Sequence, residues 1–370
     1  MTRRTARKWT WRSVLFMLLL ILLGWLLREY LGIDILGGEQ AREAITGDWI
    51  AVYFTAPVYP DDPARYTGGV DLYLVDLIDS AQNQVDVAAY QLNLPTVTDA
   101  LLRAHRRSVR VRLVTDGEYE DEEMVARLRR AGVPVTVRPK DGGIMHNKFV
   151  VVDGAWVWTG SWNLTENGTY RNNNNAVLIA SSRLAQNYAT EFEELFSGQF
   201  GPTSPQNTPY PSITIEVPEK GIQVLVETYF APEDKVAEKL IPVLSGARRS
   251  VRLMAFSFTS NPIGDTLIQI ARRGVSVEGV VESRGADTRF SQYSRLLEAG
   301  IPVWKDGNPY LLHHKVFIVD EEIVVLGSYN FSSNADRDND ENLLIVHDPE
   351  VAKVFLAEYE RVRQQAQIAQ

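Results

Sequence analysis

The stretch His146-Asn-Lys-Phe-Val-Val-Val-Asp-Gly-Ala-Trp-Val-Trp-Thr-Gly-Ser-Trp-Asn163 decides the fold, because its pattern returns at His313-His-Lys-Val-Phe-Ile-Val-Asp-Glu-Glu-Ile-Val-Val-Leu-Gly-Ser-Tyr-Asn330. Both copies keep His-x-Lys, an Asp, and Gly-Ser-x-Asn at identical spacing: His146, Lys148, Asp153, Ser161 and Asn163, then His313, Lys315, Asp320, Ser328 and Asn330. Phe149 to Val152 and Val316 to Val319 are unbroken β-branched or aromatic runs. Each therefore predicts a strand, a turn at Asp153-Gly154 or Asp320-Glu321, and a returning strand. Side chains alternate with a period of two, so His146 and Lys148 share a face. Folding about residues 153 and 154 then sets Ser161 opposite His146, with Asn163 on the same side. The same construction gathers His313, Lys315, Ser328 and Asn330, and it turns His314 to the opposite face.

Working outward, residues 50–197 resemble 222–365, an internal repeat of about 166 residues. Ile50 to Pro57 matches Gln223 to Pro232, Val85 to Tyr90 matches Val251 to Phe256, and Asp99-Ala-Leu-Leu matches Asp265-Thr-Leu-Ile on an amphipathic helix. Strands follow at Val109 to Val114 and Val275 to Val281, then helices at Glu122 to Ala131 and Gln292 to Ala299, then strands at Val133 to Val137 and Ile301 to Trp304. Strands alternating with helices of this length imply an α/β fold with a largely parallel sheet. Between the copies, Pro202, Pro205, Pro209, Pro211 and Pro218 mark a linker. The expected organisation is a basic segment and membrane anchor at 1–45, a first domain at 46–200, a Pro-rich linker at 201–221 and a second domain at 222–370. Equivalent residues of two such domains facing each other would meet at one pocket.

The duplicated HxKxxxxD and GSxN pattern resembles the phospholipase D superfamily, which includes phospholipases D, cardiolipin synthases and hydrolases, and related nucleases. The resemblance covers nearly the whole chain after residue 45. It implies two α-β-α domains related by a pseudo-twofold axis, both motifs in one active site, and no metal or other cofactor. The residues themselves suit that chemistry. Hydrolysing a phosphodiester needs a nucleophile, a proton donor for the leaving alkoxide, and positive charge for the equatorial oxygens. Two His, two Lys and two Asn supply these, with Ser161 and Ser328 as further phosphate ligands. One imidazole attacks phosphorus to give a phosphohistidine, and the other protonates the leaving alcohol and then activates water.

Family precedent makes the N-terminal histidine, His146, the nucleophile and His313 the acid. The family usually places a carboxylate eleven residues after each GSxN asparagine, and here the first copy has Asn174 where the second has Glu341. Contact between Glu341 and His313 would favour the imidazolium of an acid, whereas a neutral partner would leave His146 free to attack. Asp153 and Asp320 sit in tight turns and are read as structural. His105, among arginines on a helix, and His347, at a strand end, suggest no metal. Trp156, Trp158, Trp162 and Trp304 are expected in the core.

The chain of 370 residues has no cysteine, which excludes disulfides, thiolate nucleophiles and cysteine-ligated metals. Its net charge of −9 hides an asymmetry: residues 1 to 30 carry six Arg and Lys against Glu29 alone, leaving −14 on the remainder. A body that acidic is repelled by polyanions. The basic start leads into the uncharged run Ser13 to Leu27 (SVLFMLLLILLGWLL), flanked by Trp and Arg. That reads as a single-pass signal anchor holding an extracytoplasmic body at the cell membrane, or as a signal peptide cleaved before secretion. The expected activity is phospholipid hydrolysis to phosphatidic acid and an alcohol. A nuclease guided by Arg138, Lys140 and Arg171, a cardiolipin synthase-like transferase, and an inactive phosphate-binding scaffold are the alternatives. Phospholipid and membrane are the expected partners, nucleic acid ranks lower, and two motifs per chain require no oligomer.

Overall fold

The computed structural model describes residues 42–46, 49–140 and 142–368. The apolar run Ser13 to Leu27, and with it the anchor, lies outside the described residues. Among the described residues no helix is long and apolar enough to cross a membrane.

Two eight-stranded sheets form the frame. The first comprises β1 (Arg42–Thr46), β2 (Ile50–Phe54), β3 (Gln84–Ala89), β4 (Arg110–Asp116), β5 (Val135–Arg138), β6 (Lys148–Val152), β7 (Trp156–Gly160) and β8 (Asn175–Ala180), in the order β1-β2-β8-β7-β6-β3-β4-β5. The second comprises β9 (Ser212–Val217), β10 (Ile222–Ala231), β11 (Ser250–Ala255), β12 (Ser276–Val281), β13 (Val303–Lys305), β14 (Lys315–Val319), β15 (Ile323–Gly327) and β16 (Glu341–His347). Its order, β9-β10-β16-β15-β14-β11-β12-β13, repeats the connectivity of the first. Strand β1 straddles residue 45, and β9 lies inside the 201–221 stretch read above as a linker. Each contributes an edge strand to the sheet of its own half.

The sheets are mixed rather than largely parallel. Only β3-β4-β5 and β11-β12-β13 run parallel, where helices make the crossovers. The hairpins β6-β7 and β14-β15 are antiparallel, since a short turn can only send the chain back. Val152 pairs with Trp156 and Val319 with Ile323, so each turn spans three residues instead of two. That one-residue difference leaves Ser161 one residue short of the position opposite His146.

Two long helices lie between the sheets. Ser182–Phe196 is capped by Ser181, whose hydroxyl accepts from the Leu184 amide at 3.3 Å, and it buries Leu184, Tyr188, Phe192 and Leu195. Pro349–Ile368 does the same for the second half with Val351, Phe355, Tyr359 and Val362, in one shared core cluster. Edge-to-face pairs cross between halves at 5.2 Å, Phe54 on Phe355 and Tyr188 on Phe230. Burying such side chains contributes roughly 1.5–3 kcal/mol each. Separate outer clusters sit under the surface helices of each half.

The halves are also laced by backbone. The His146 amide donates to Asp340 O at 2.9 Å and the His313 amide to Asn173 O at 2.9 Å. Beside the first of these bridges, Arg138 is buried and donates to the Asp340 carboxylate at 2.7 Å, to Asp338 O at 2.7 Å and to Ile144 O at 3.1 Å. Removing one partner of a buried pair leaves the other uncompensated. Arg138→Ala is expected to lower unfolding free energy by about 3 kcal/mol or more, read from denaturant melts. A change within about 0.5 kcal/mol would mean that this lacing does not hold the halves.

Candidate active site

Lys148 and Lys315 open β6 and β14, and each histidine sits two residues earlier, where the chain enters its strand. Carboxylates at the ends of β4 and β12 fix that entry: Asp116 accepts from the Met145 amide at 2.7 Å, and Glu282 from the Leu312 amide at 2.7 Å. Each lysine folds back to donate to the carbonyl of its own histidine, Lys148 to His146 O at 2.7 Å and Lys315 to His313 O at 2.9 Å. Tyr90 meets the His146 ring edge-on at 4.9 Å, and Phe256 lies tilted on His313 at 4.7 Å. The same two rings receive the ammonium groups, Lys148 at 5.2 Å and Lys315 at 5.0 Å, a cation–π contact that offsets part of their desolvation.

All four groups are almost fully buried, His146 at 5 % and His313 at 6 % exposure. Burial pushes Lys148 down to about 7. Lys315 falls well below the ordinary lysine range, from burial and then from the neighbouring Lys148 charge. Both histidines drop well below 6.5, first from burial and then from both ammonium groups; His313 also feels His146. Contacts of each histidine with the other half, His146 with Glu341 at 2.7 Å and His313 with Ser161 O at 3.1 Å, bring the two motifs around one common space.

The supports of the two rings cross between halves, which overturns the expected pairing of Glu341 with His313. His146 Nδ1 donates to Glu341 Oε2 at 2.7 Å, while His313 Nδ1 donates to Asn174 Oδ1 at 2.9 Å and to Ser161 O at 3.1 Å. The amide orientation of Asn174 is pinned, because its Nδ2 donates to Gly168 O at 2.9 Å. Its Oδ1 therefore faces the ring as an acceptor, and the proton belongs on Nδ1. His146 Nε2 is left without a hydrogen-bond partner among the described residues, while His313 Nε2 accepts from Lys315 Nζ at 3.3 Å, the ammonium that a bound anion would draw away. Burial pushes the Glu341 carboxyl up to about 7, against the pull of Lys148 and of hydrogen bonds from Ser328 and Asn339.

The two serine hydroxyls, expected at the phosphate, are engaged by neighbouring side chains and amides. Ser161 Oγ donates to Asn174 Oδ1 at 3.0 Å and accepts the Asn175 amide, and Ser328 Oγ donates to Glu341 Oε2 at 2.7 Å and accepts the Asn342 amide. Both hydroxyls are spent on holding the residues that hold the histidines. The glycine before each serine is required by close approach. A Cβ on Gly160 would lie 2.4 Å from Asn175 O, and one on Gly327 2.3 Å from Asn342 O, at φ of +148° and +144°. Asn163 and Asn330 stand half-buried beyond the serines, each with a buried Oδ1 that has no hydrogen-bond partner.

Asp153 and Asp320 sit at the hairpin turns with φ of 53° and 54°. The Asp153 carboxylate accepts from the amides of Gln82, Asn83 and Gln84, and Asp320 from those of Arg248, Arg249 and Ser250. Against the effect of burial, those donors hold both carboxyls below the usual range. His314 does turn away from the site, to Glu358 at 3.1 Å and Asn175 at 2.9 Å. Trp158 and Trp162 are core residues, but Trp156 is exposed and Trp304 half-buried. Of the basic residues proposed to guide a nucleic-acid strand, Arg138 is buried and Arg171 is paired with Asp61 at 2.8 Å.

Sequence reasoning missed Tyr90 and Phe256, although the repeat aligned an aromatic residue there in both copies. It also missed Asp116 and Glu282, and Asn175 and Asn342, which matched in type and position without a motif to flag them.

The family described as "Cardiolipin synthase, PLD-like domain" matches residues 74–196 and 240–363, one match per half. Human mitochondrial cardiolipin hydrolase is 36% identical over 132 residues, 36% of this chain and 52% of that protein, so the match spans about half the length of that relative. A phospholipase D of Rickettsia bellii is 32% identical over 131 residues, 35% of this chain and 65% of that protein. Among solved structures, phosphatidylserine synthase of Haemophilus influenzae covers 89% of this chain and 88% of its own at a TM-score of 0.59 and 15% identity, a likeness of fold. With both halves matched and both motifs facing one space, the chain belongs to the phospholipase D superfamily.

Proposed function

We propose that the chain is a phospholipase D-type phosphodiesterase that hydrolyses a phospholipid to phosphatidic acid and an alcohol, with His146 as nucleophile and His313 as acid. The observation that carries the assignment is the crossed support: a carboxylate, Glu341, holds His146, and a neutral amide holds His313. A carboxylate behind Nδ1–H raises the electron density at Nε2 and stabilises the positive charge that grows on the ring as it attacks. The family's N-terminal nucleophile thus agrees with the geometry, for the opposite reason to the neutral partner expected from the sequence.

In the first step the His146 Nε2 lone pair forms the N–P bond, the P–O bond to the head alcohol breaks, and His313 gives its Nε2 proton to the departing oxygen. In the second, neutral His313 takes a proton from water, the water oxygen bonds to phosphorus, and the P–N bond returns its pair to His146. The bound phosphodiester's negative charge offsets the two ammonium groups, which lets His313 carry the proton it must donate. Lys148 and Lys315, with Asn163 and Asn330, neutralise the equatorial oxygens. An alcohol in place of water would resolve the same intermediate by transfer. The net charge of −14 on the body after residue 30 supports a lipid over a polyanion. The apolar run Ser13 to Leu27 would keep the body at a membrane surface.

The reading is tested on vesicles of phosphatidylglycerol and cardiolipin, with single-stranded DNA alongside. Release of phosphatidic acid is expected; turnover of DNA alone would replace lipid by nucleic acid, and an added alcohol appearing in the product would mark transfer. The two histidines separate by leaving group. His313→Ala is expected to keep forming phosphohistidine from a nitrophenyl phosphodiester, whose leaving group needs no acid, while losing about 10²–10⁴-fold on phospholipid. His146→Ala should lose both, and the reverse pattern would exchange the roles. With burial pushing Lys148 down to about 7, its charged form predominates below that pH and is lost above it. Inhibition by tungstate, an oxyanion, should therefore weaken as pH rises from 6.5 to 8.5 in the wild type, and Lys148→Gln should bind it more weakly with a flatter profile.

A further inference from the structure

The repeat that builds the site also shows where the halves differ. Glu191 on the helix Ser182–Phe196 stands as far along the chain from His146 as Glu358 on Pro349–Ile368 stands from His313. By the same offset Glu194 replaces Arg361, and Asn147 replaces His314. In the second half the buried carboxylate is fully compensated. Glu358 receives Arg361 Nη2 at 2.6 Å and Nε at 2.8 Å, and His314 at 3.1 Å. Although burial pushes Glu358 up, Arg361 holds it at about 2.

In the first half the guanidinium is gone, and an amide stands in place of the His314 imidazole. Glu191 receives the neutral Asn147 amide at 3.1 Å, and its other side-chain hydrogen-bond partner is itself a carboxyl, Glu233. Where the guanidinium would lie, Glu194 brings a second carboxylate, and Glu233, just past β10 in the second half, brings a third. One oxygen from each of the three lies within 4.8 Å of the others. Glu194 is only 7 % exposed, and its Oε2 is buried with no hydrogen-bond partner, as is Oε2 of Glu233. The charged neighbours bearing most strongly on Glu191 and Glu233 are further carboxylates, among them Asp340, which already engages Arg138, and on Glu194 it is Asp234. Burial accordingly pushes Glu194 up to about 7 and Glu233 up to about 8.

We infer that Glu191, Glu194 and Glu233 bind a divalent, oxygen-seeking cation of the Ca²⁺ or Mg²⁺ type, which takes the place that the Arg361 guanidinium holds in the second half and ties Glu233 to the first. Hard cations of this class take carboxylate oxygens at roughly 2.0–2.6 Å, so oxygens this close together can reach one ion, and the wider end of the range suits Ca²⁺. A cavity of about 410 Å³ lined by Glu194 and Asn207 gives the ion a way in. The site is distinct from the phosphate chemistry, since it faces Asn147 rather than either imidazole nitrogen.

The test uses the detergent-solubilised full chain, stripped with EDTA and then titrated with CaCl₂ or MgCl₂ at pH 7.5, followed by thermal melting and calorimetry. The expected result is one ion per chain and a rise in Tm of about 3–6 °C, both lost in Glu194→Gln and in Glu233→Gln. Glu194→Arg, which copies the second half, should raise the cation-free Tm and abolish the response, so the inference stays testable should the Gln variants fold poorly. A wild type indifferent to both cations, whose Tm instead rises as pH falls from 8 to 6, would show that protons neutralise the trio and overturn the inference. An ion response unchanged in the Gln variants would overturn it equally.

Discussion

Everything at the candidate active site depends on each motif histidine being held by the half of the chain to which it does not belong. Glu341 grips His146 and Asn174 grips His313, and beside these contacts the backbone exchanges hydrogen bonds at Asp340 and Asn173. Two ammonium groups and two imidazoles buried together are electrostatically costly, because desolvation and mutual repulsion both disfavour charge. The shared core between the sheets, with its long helices, supplies the closing force that keeps such a cluster out of water. On the proposed reading, a bound phosphodiester would relieve that repulsion.

Duplication made two equal frames, and divergence has made them unequal at a few buried positions. Glu341 opposite Asn174 gives the two imidazoles different partners in an otherwise symmetric site. Deeper in the interface, His314 and Arg361 of one half face Asn147 and Glu194 of the other, which moves the balance of buried charge from complete compensation to an excess of carboxylate. Both changes exploit the same property of a low-dielectric interface: replacing one ionisable side chain alters the protonation of every neighbour. The surfaces of the halves are free to drift further, since their outer clusters are separate.

Much of this was legible before any coordinates. The HxK and GSxN spacing located His146, Lys148, Asn163 and their repeats, the turn positions of Asp153 and Asp320 pointed to structural work, and the two-residue strand period turned His314 away. A largely parallel sheet overstates the alternation of helix and strand, which holds only for β3-β4-β5 and β11-β12-β13; beside the two hairpins, β2, β8, β10 and β16 also pair antiparallel. Edge strand β9 was hidden by the prolines around it. Ser161 was misplaced by a single residue of turn length, and in a strand one residue exchanges the faces.

The chain by itself determined that there are two equivalent sets of His, Lys and Asn, and on which strands they lie, because local spacing and side-chain alternation need nothing beyond a few neighbouring residues. Only the tertiary structure decided which side chain supports which imidazole, because those pairs join residues more than a hundred positions apart, and only packing brought Glu233 to Glu191 and Glu194; no periodicity reaches that far.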